Sequence, residues 1–348
     1  MAEVSIIVCF TGPVAEGLFS LRINLEFKLE EYKTDYPKGK PAYTGRRILS
    51  LPIMPDGSMV DYFYANHKLD SGFVEDFCAE DPLHPNEFLI LQDEGNPSHS
   101  ALAKYKNGEV IPLQFVDSRP WGIIAKNAGQ RFALEALMDD DIPLVILAGP
   151  AGTGKTYLNM GVGLEKTMER HIYDKILIYR PMVYFDDGIG FLPGDEKEKI
   201  SPMLRSYYDN LHILTRSTSG GKDGSGIHDY TQDLFDKGIV EAQAMTFVRG
   251  RSINDTWIAM DEAQNATPVQ TFGVVTRAGV GTKIIMSGDP DQIDHPTMDK
   301  YGNGLSFTIE RMKDSKLSAV VVFNDSECVR SPLALEAIAR MSPKGYTK

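Results

Sequence analysis

The chain has 348 residues, of which 42% are hydrophobic, and it carries a formal net charge of −12. This length suits two ordinary domains, or one large domain with an extension, and the apolar share is ample for a core. The acidic balance excludes a general polyanion-binding surface, so nucleic acid would have to be met by a local basic patch.

Taken in order, the run Val4 to Phe10 is too short to span a membrane. Glu3 stands where a signal peptide would be basic, so the run reads as a buried strand with no membrane association. Cys9, Cys78 and Cys328 lie far apart and fit neither a disulfide framework nor a metal spacing, which points to a reducing, cytoplasmic setting. Glu30 to Gly45, charged and rich in Pro and Gly, reads as an exposed connector. Arg46 to Ile53 and Ser58 to Tyr64 read as short strands or edge segments around a Pro55-Asp56-Gly57 turn. Asn86 to Leu91 predicts a strand, Asp93 to Ser98 a loop, and Ala101 to Tyr105 a further strand or turn. Asp93 and Glu94 are expected in a solvated turn, since no partner carboxylate sits at a recognisable spacing. Together these predict a small β-rich domain without a chemical constellation.

Asn127 and Gln130 open a helix predicted to run to Met138. One reading is a variant capping box, which accounts for both residues structurally. The other sets the Gln130 amide against an adenine, donating to a ring nitrogen and accepting from the amino group.

The apolar run Pro143 to Leu147 ends in Gly149, Pro150, Ala151, Gly152, Thr153, Gly154, Lys155 and Thr156, which match the phosphate-loop pattern G-x-x-x-x-G-K-[ST] throughout. Backbone N–H groups must point inward around phosphate oxygens there, and glycines keep side chains out of the way. Lys155 is expected to reach the β- and γ-phosphates of ATP, and the Thr156 hydroxyl to join a magnesium shell. Tyr157 to Met168 continues as a helix.

Further buried-strand runs occur at Lys175 to Tyr179, Ile239 to Val248, Trp257 to Met260, Lys283 to Met286 and Ala319 to Phe323, separated by helix-compatible segments. They predict an α/β, doubly wound, mostly parallel sheet with ligands at the strand carboxyl ends. Thr215 to Gly226, rich in Ser and Gly, is expected to be a mobile loop. Asp261, behind a buried strand, suits the carboxylate that holds magnesium, and Glu262 suits the base that activates water. Gln292, after another strand end, suits a γ-phosphate sensor. An arginine finger is expected from Arg330 first and Arg277 second, although either also suits a surface ion pair.

Residues Trp121 to Met341 resemble the PhoH-type ATPases, the ATPase half of the two-domain PIN–PhoH proteins. The resemblance rests on the loop Gly149 to Thr156, Arg180-Pro181, Gly190 to Asp195 with Glu198-Lys199, Val248 to Ser252, Asp261 to Asn265, Thr276 to Gly279, Gly288-Asp289 with Gln292 to Asp294, and Asn303 to Leu305. It implies a RecA-like P-loop NTPase core similar to that of superfamily-one helicases, ATP hydrolysis, single-stranded RNA as partner, and homo-oligomers in the form of hexameric rings. Arg180, Arg249 and Arg251 are RNA-contact candidates, with ion pairs in the core as the alternative. The acidic Asp-Thr-Asn-like motif of a PIN nuclease is not found, whereas Leu21 to Tyr32 resembles the last part of a PIN domain. Tyr43 to Gly45 and Asn86 to Pro97 resemble the linker domain that follows. The expected division is a PIN remnant and connector over 1–45, a small β-rich linker domain over 46–115 and the ATPase over 116–348, with no nuclease activity. The expected function is ATP turnover coupled to RNA binding, translocation or unwinding. A nucleotide-gated RNA-binding or assembly module and a small-molecule kinase are the alternatives.

Overall fold

The computed structural model of the chain describes residues 42–55, 57–181, 205–218, 230–244, 252–294 and 298–331, with single positions between 333 and 340. The expected PIN remnant, the run Gly190 to Asp195, and both Arg249 and Arg251 lie outside the described residues.

The central sheet is built from β7 (Leu144–Ala148), β8 (Lys175–Arg180), β9 (Val240–Ala244), β10 (Thr256–Met260), β11 (Lys283–Gly288) and β12 (Ser318–Val322), in the order β12-β7-β11-β10-β8-β9. Every neighbouring pair is parallel. All residues of β7, β10 and β11 are buried, as a sheet covered by helices on both faces requires. Successive residues point to opposite faces. Val145 and Leu147 therefore pack with α3 (Ala128–Met138), α4 (Lys155–Leu164) and α5 (Arg205–Thr218). Leu144, Ile146 and Ala148 pack with α7 (Pro268–Val275) and α8 (Gly304–Met312). A short helix, α6 (Tyr230–Asp236), precedes β9. The carboxyl ends of β7, β11, β10 and β8 thus stand side by side. Lys283, at the start of β11, is buried with its Nζ 2.9 Å from the Ala136 carbonyl and 2.7 Å from that of Asp139. Burial, reinforced by nearby Lys166, pushes its pKa down to about 7.

Ahead of this lies a four-stranded sheet in the order β1-β4-β5-β6, from β1 (Arg46–Leu51), β4 (Phe88–Asp93), β5 (Asn96–Lys106) and β6 (Glu109–Pro112). A small ribbon, β2 (Ile53–Met54) with β3 (Gly57–Ser58), leads to helices α1 (Met59–Asn66) and α2 (Ser71–Phe77). Ser58 to Tyr64 is therefore mostly helix and not the expected strand. Ser58 caps it, its Oγ accepting from the Val60 and Asp61 amides, and Val60 and Phe63 turn one buried face inward. Asp93 is likewise not solvated. It is buried and accepts from Ser58 Oγ at 2.6 Å, with His99 Nδ1 at 2.5 Å. Thr215 to Thr218, the first part of the expected loop, instead ends α5 behind the buried Leu211 and Leu214, and the rest of that stretch lies outside the described residues.

The two sheets meet through buried contacts. Phe88 stacks on Phe132 with centroids 5.0 Å apart, and Lys104 pairs with Glu135 at 2.6 Å, both side chains 1% exposed. Gly45, at φ +71°, lies so close to Val320 that a Cβ would collide with its carbonyl. The Thr44 carbonyl accepts from the Val322 amide at 3.0 Å. No helix among the described residues is long and apolar enough to cross a membrane.

Candidate nucleotide site

The turn from β7 into α4 carries Gly149, Gly152 and Gly154 at φ +129°, +90° and +93°, backbone that side chains rarely adopt. Two of them are also held by close neighbours. A Cβ on Gly149 would stand 2.6 Å from the Phe323 carbonyl oxygen, and one on Gly152 would collide with the Arg330 side chain. Gly154 occupies the N-cap of α4 with no side chain capping the first turn. The helix thus begins with amides available to an anion. Lys155 folds back over the loop, its Nζ 2.7 Å from the Gly149 carbonyl and 3.0 Å from that of Pro150. Burial lowers its pKa, against the opposing charges of Asp289, Asp261 and Glu262.

At the end of β10, Asp261 is buried and accepts from Ser287 Oγ on β11 at 2.9 Å. Tyr207 on α5 is fully buried, and burial first, then the Asp261 charge, holds its phenol well above the ordinary value. Glu262 follows with φ 52° and ψ 38°, a left-handed turn that costs about 1–3 kcal/mol in a non-glycine residue and marks strained, functional positions. Two neighbours hold its carboxylate. Arg180 Nη2, from the end of β8, lies 3.4 Å from Oε1, and Gln264 Nε2 donates to Oε2 at 2.6 Å.

Gln264, fully buried, joins this turn to the loop after β11. Its Nε2 also donates to the Gln292 carbonyl at 2.9 Å, and its Oε1 accepts from the Asp289 amide at 3.1 Å. Asn265 and Asp294 add reciprocal bonds of 3.1 and 2.8 Å. Gln292 Nε2 donates to Asp289 Oδ2 at 2.8 Å. A strap after β12 closes the far side of the phosphate loop. The Val329 amide donates to the Gly152 carbonyl at 2.8 Å, and Cys328 Sγ lies 3.4 Å from that of Ala151. Glu327 anchors the strap by accepting from the Gly129 amide at 2.8 Å and pairing with Arg46 at 2.8 Å.

Lys155, Thr156, Arg180, Asp261, Glu262, Asp289 and Gln292 thereby share the lining of one polar cavity of about 230 Å3 with Ala151, Gly152 and Gly154. Arg330 does not line the cavity but packs against Gly152, which does. Arg277 does not line the cavity, and its Nη1 donates to the Gly273 carbonyl at 2.6 Å. Asn127 and Gln130 do not line it either. Asn127 caps α3, and Gln130 donates from Nε2 to the Thr153 carbonyl at 2.9 Å while its Oε1 accepts from the Lys126 amide at 2.8 Å. Its amide braces the phosphate loop from behind. Arg180, for which the sequence left an RNA contact or an ion pair open, lines the cavity and pairs with Glu262, at the strand carboxyl end where ligands gather. Gln264 stood in the Asp261 to Asn265 run without an assigned role, and nothing in its spacing disclosed its three hydrogen bonds.

The cradle suits a nucleotide, with positive-φ glycines, a helix start and Lys155 in one place. The donors beside it, the Thr156 hydroxyl and the Asp261 carboxylate, are hard oxygens of the kind magnesium takes in small number when phosphates complete its shell. No three His, Cys, Asp or Glu side chains converge as a metal cluster among the described residues.

A phosphate loop after a central strand of a parallel sheet, with an acidic strand end two strands away, defines the α/β P-loop NTPase class. The family model described as PhoH-like protein matches residues 122–342, and the chain belongs to that family. It is 39% identical over 274 residues to Protein PhoH2 of Bacillus subtilis, covering 78% of this chain and 59% of the relative. To a PhoH-like protein of the same organism it is 38% identical over 216 residues, 62% of this chain and 63% of the other. To Protein PhoH2 of Mycolicibacterium smegmatis it is 30% identical over 292 residues, 82% and 61% of the two chains. The chain thus spans about three fifths of the length of these relatives.

Proposed function

We propose that the protein hydrolyses ATP and couples the turnover to binding and movement along, or unwinding of, single-stranded RNA, as a homo-oligomer. The observation that carries the hydrolytic part is the meeting of Lys155, Thr156, Asp261, Glu262 and Gln292 around one cavity beside the phosphate loop. Lys155 leaves the Gly149 and Pro150 carbonyls for the β- and γ-phosphates, while the loop amides hold the phosphate oxygens. Thr156 and Asp261 would hold magnesium, which would neutralise phosphate charge when bound. Glu262 accepts a proton from the attacking water. Gln292, on the loop that Gln264 ties to Glu262, carries loss of the γ-phosphate to neighbouring elements. Arg330 adds positive charge from the strap over Gly152.

The RNA part rests on the family resemblance. Phosphate release with and without single-stranded RNA, measured beside strand displacement on sized oligomers, tests it. RNA-stimulated release with displacement is expected. Stimulated release without displacement favours a nucleotide-gated RNA-binding module, and phosphate found on an acceptor in place of free phosphate favours a kinase. A Glu262→Gln variant that binds nucleotide but does not turn it over is expected, and unchanged turnover would remove Glu262 from the role of base.

A further inference from the structure

A second cavity, of about 480 Å3, is lined jointly by α1, β5 and the start of α3. That volume lies within the range of small-ligand sites, about 300–1,000 Å3, which favour junctions between structural units. It shares no lining residue with the phosphate-loop cavity. Leu102, Leu113 and Val116 give it apolar walls, and Tyr64 adds an aromatic one. Tyr64 is 54% exposed, yet its hydroxyl donates to the Ser100 carbonyl at 2.8 Å. An exposed ring fixed in this way is a ready stacking platform, because little side-chain freedom is left to lose on binding.

The charge of the lining has one sign. Arg131 and His67 line the cavity and no carboxylate does, although the chain as a whole carries −12. Among the described residues, neither of these two side chains has a hydrogen-bond or ion-pair partner. Asn127 and Arg131, four residues apart, share one face of α3. Gln130 turns away from it to hold the Thr153 carbonyl.

We propose that this cavity takes one nucleotide unit of a single-stranded RNA, its base stacked on Tyr64 and its phosphate met by Arg131 and His67. The inference rests on the RNA reading of the protein. An aromatic face takes any base, and a guanidinium fork matches phosphate oxygens. An acidic chain needs such a local basic patch to hold a polyanion. The seat also adjoins the phosphate loop's supports. Asn127 Nδ2 donates to the Glu327 carbonyl at 3.1 Å, where the strap across Gly152 begins.

The test titrates the whole chain with a fluorescent single-stranded RNA oligomer at several salt concentrations, on wild type, Tyr64→Ala, Tyr64→Phe and Arg131→Gln. Tyr64→Ala is expected to weaken binding at least about fivefold, the loss of one stacked base, with Tyr64→Phe recovering most of it. Arg131→Gln is expected to weaken binding and to lower the slope of log affinity against log salt by about 1. A merely structural role would leave that slope alone. Affinity for fluorescent ADP with magnesium should be unchanged in all three, because the two cavities share no residue. Unchanged RNA affinity and salt slope in Tyr64→Ala and Arg131→Gln overturn the site and leave the RNA reading standing. Loss of ADP affinity in these variants also overturns it, by making the cavity part of the nucleotide site. Competition by AMP or UMP as strong as by unlabelled oligomer would make the ligand a free mononucleotide and overturn the RNA assignment. Failure of wild type to bind the oligomer would overturn the RNA reading itself and this proposal with it.

Discussion

Gln264 Nε2 lies 2.6 Å from Glu262 Oε2, so the residue expected to activate water is oriented by an amide that also holds the Asp289–Gln292 loop. Replacing Gln264 with Ala leaves Glu262 in its left-handed turn without its buried guide. Turnover is expected to fall about 100-fold, the usual cost of misplacing a reacting group by about 1 Å. Nucleotide affinity should stay within about threefold, because Gln264 does not line the cavity. Separate kcat and KM measurements check this, and a rise in KM alone would place Gln264 in binding.

Among the described residues, Lys155 Nζ bonds to the Gly149 and Pro150 carbonyls of its own loop. Lys155→Ala is expected to lower turnover by about 100- to 1000-fold, the loss seen when one preorganised charge-stabilising donor is removed. Phosphate release at saturating ATP measures it. Melting temperature should move little, since these bonds stay within the loop itself.

Glu327 is held by Arg46 and by the Gly129 and Asn324 amides. Glu327→Ala strands the guanidinium of Arg46, which is only 12% exposed. It is expected to cost about 3 kcal/mol in denaturant unfolding. Because Glu327 begins the strap across Gly152, nucleotide affinity should drop with it, and stability lost without any change in affinity would detach the strap from the site.

His99 bridges Asp93 and Asp61, at 2.5 Å and 3.3 Å. The hydrogen bond to Asp93 raises its pKa. A raised histidine stabilises the fold fully below its unfolded pKa of about 6.5, and the contribution fades as pH climbs through the higher folded value. His99→Gln should therefore lower the urea midpoint most near pH 6 and least near pH 9. A difference that does not vary with pH would rule out a charged His99.

Lys283 titrates near 7 in the fold and near 10.4 when unfolded. Between these values the unfolded chain binds the extra proton, so this residue makes stability rise with pH. Lys283→Met should remove that rise from urea titrations at pH 7 and pH 10. If the slope survives, other groups produce it.

Much of the core was legible because its signals are local. The phosphate loop is a contiguous motif, and β7, β8, β10, β11 and β12 are apolar runs buried on both sides. Asp261 and Glu262 were found because they directly follow such a run. The misreadings came where a distant partner decides the outcome. Ser58 to Tyr64 has the β-branched and aromatic content of a strand, yet the hydroxyl of Ser58 starts a helix there. For Gln130 the sequence left a capping box and an adenine open, and spacing does not disclose that its amide meets Thr153 and Lys126. The roles of Arg180 and Gln264 depend on which strands become neighbours, which sequence spacing does not disclose.

Thr44 and Gly45 have a consequence beyond joining the two sheets. β12 is an outer strand of the six-stranded sheet, and an open outer strand invites pairing with another chain. Here the Thr44 carbonyl takes the Val322 amide, and Gly45 presses on Val320 without a side chain between them. That end of the border is therefore covered from within. An assembly that extended the sheet past β12 would first have to displace Thr44 and Gly45.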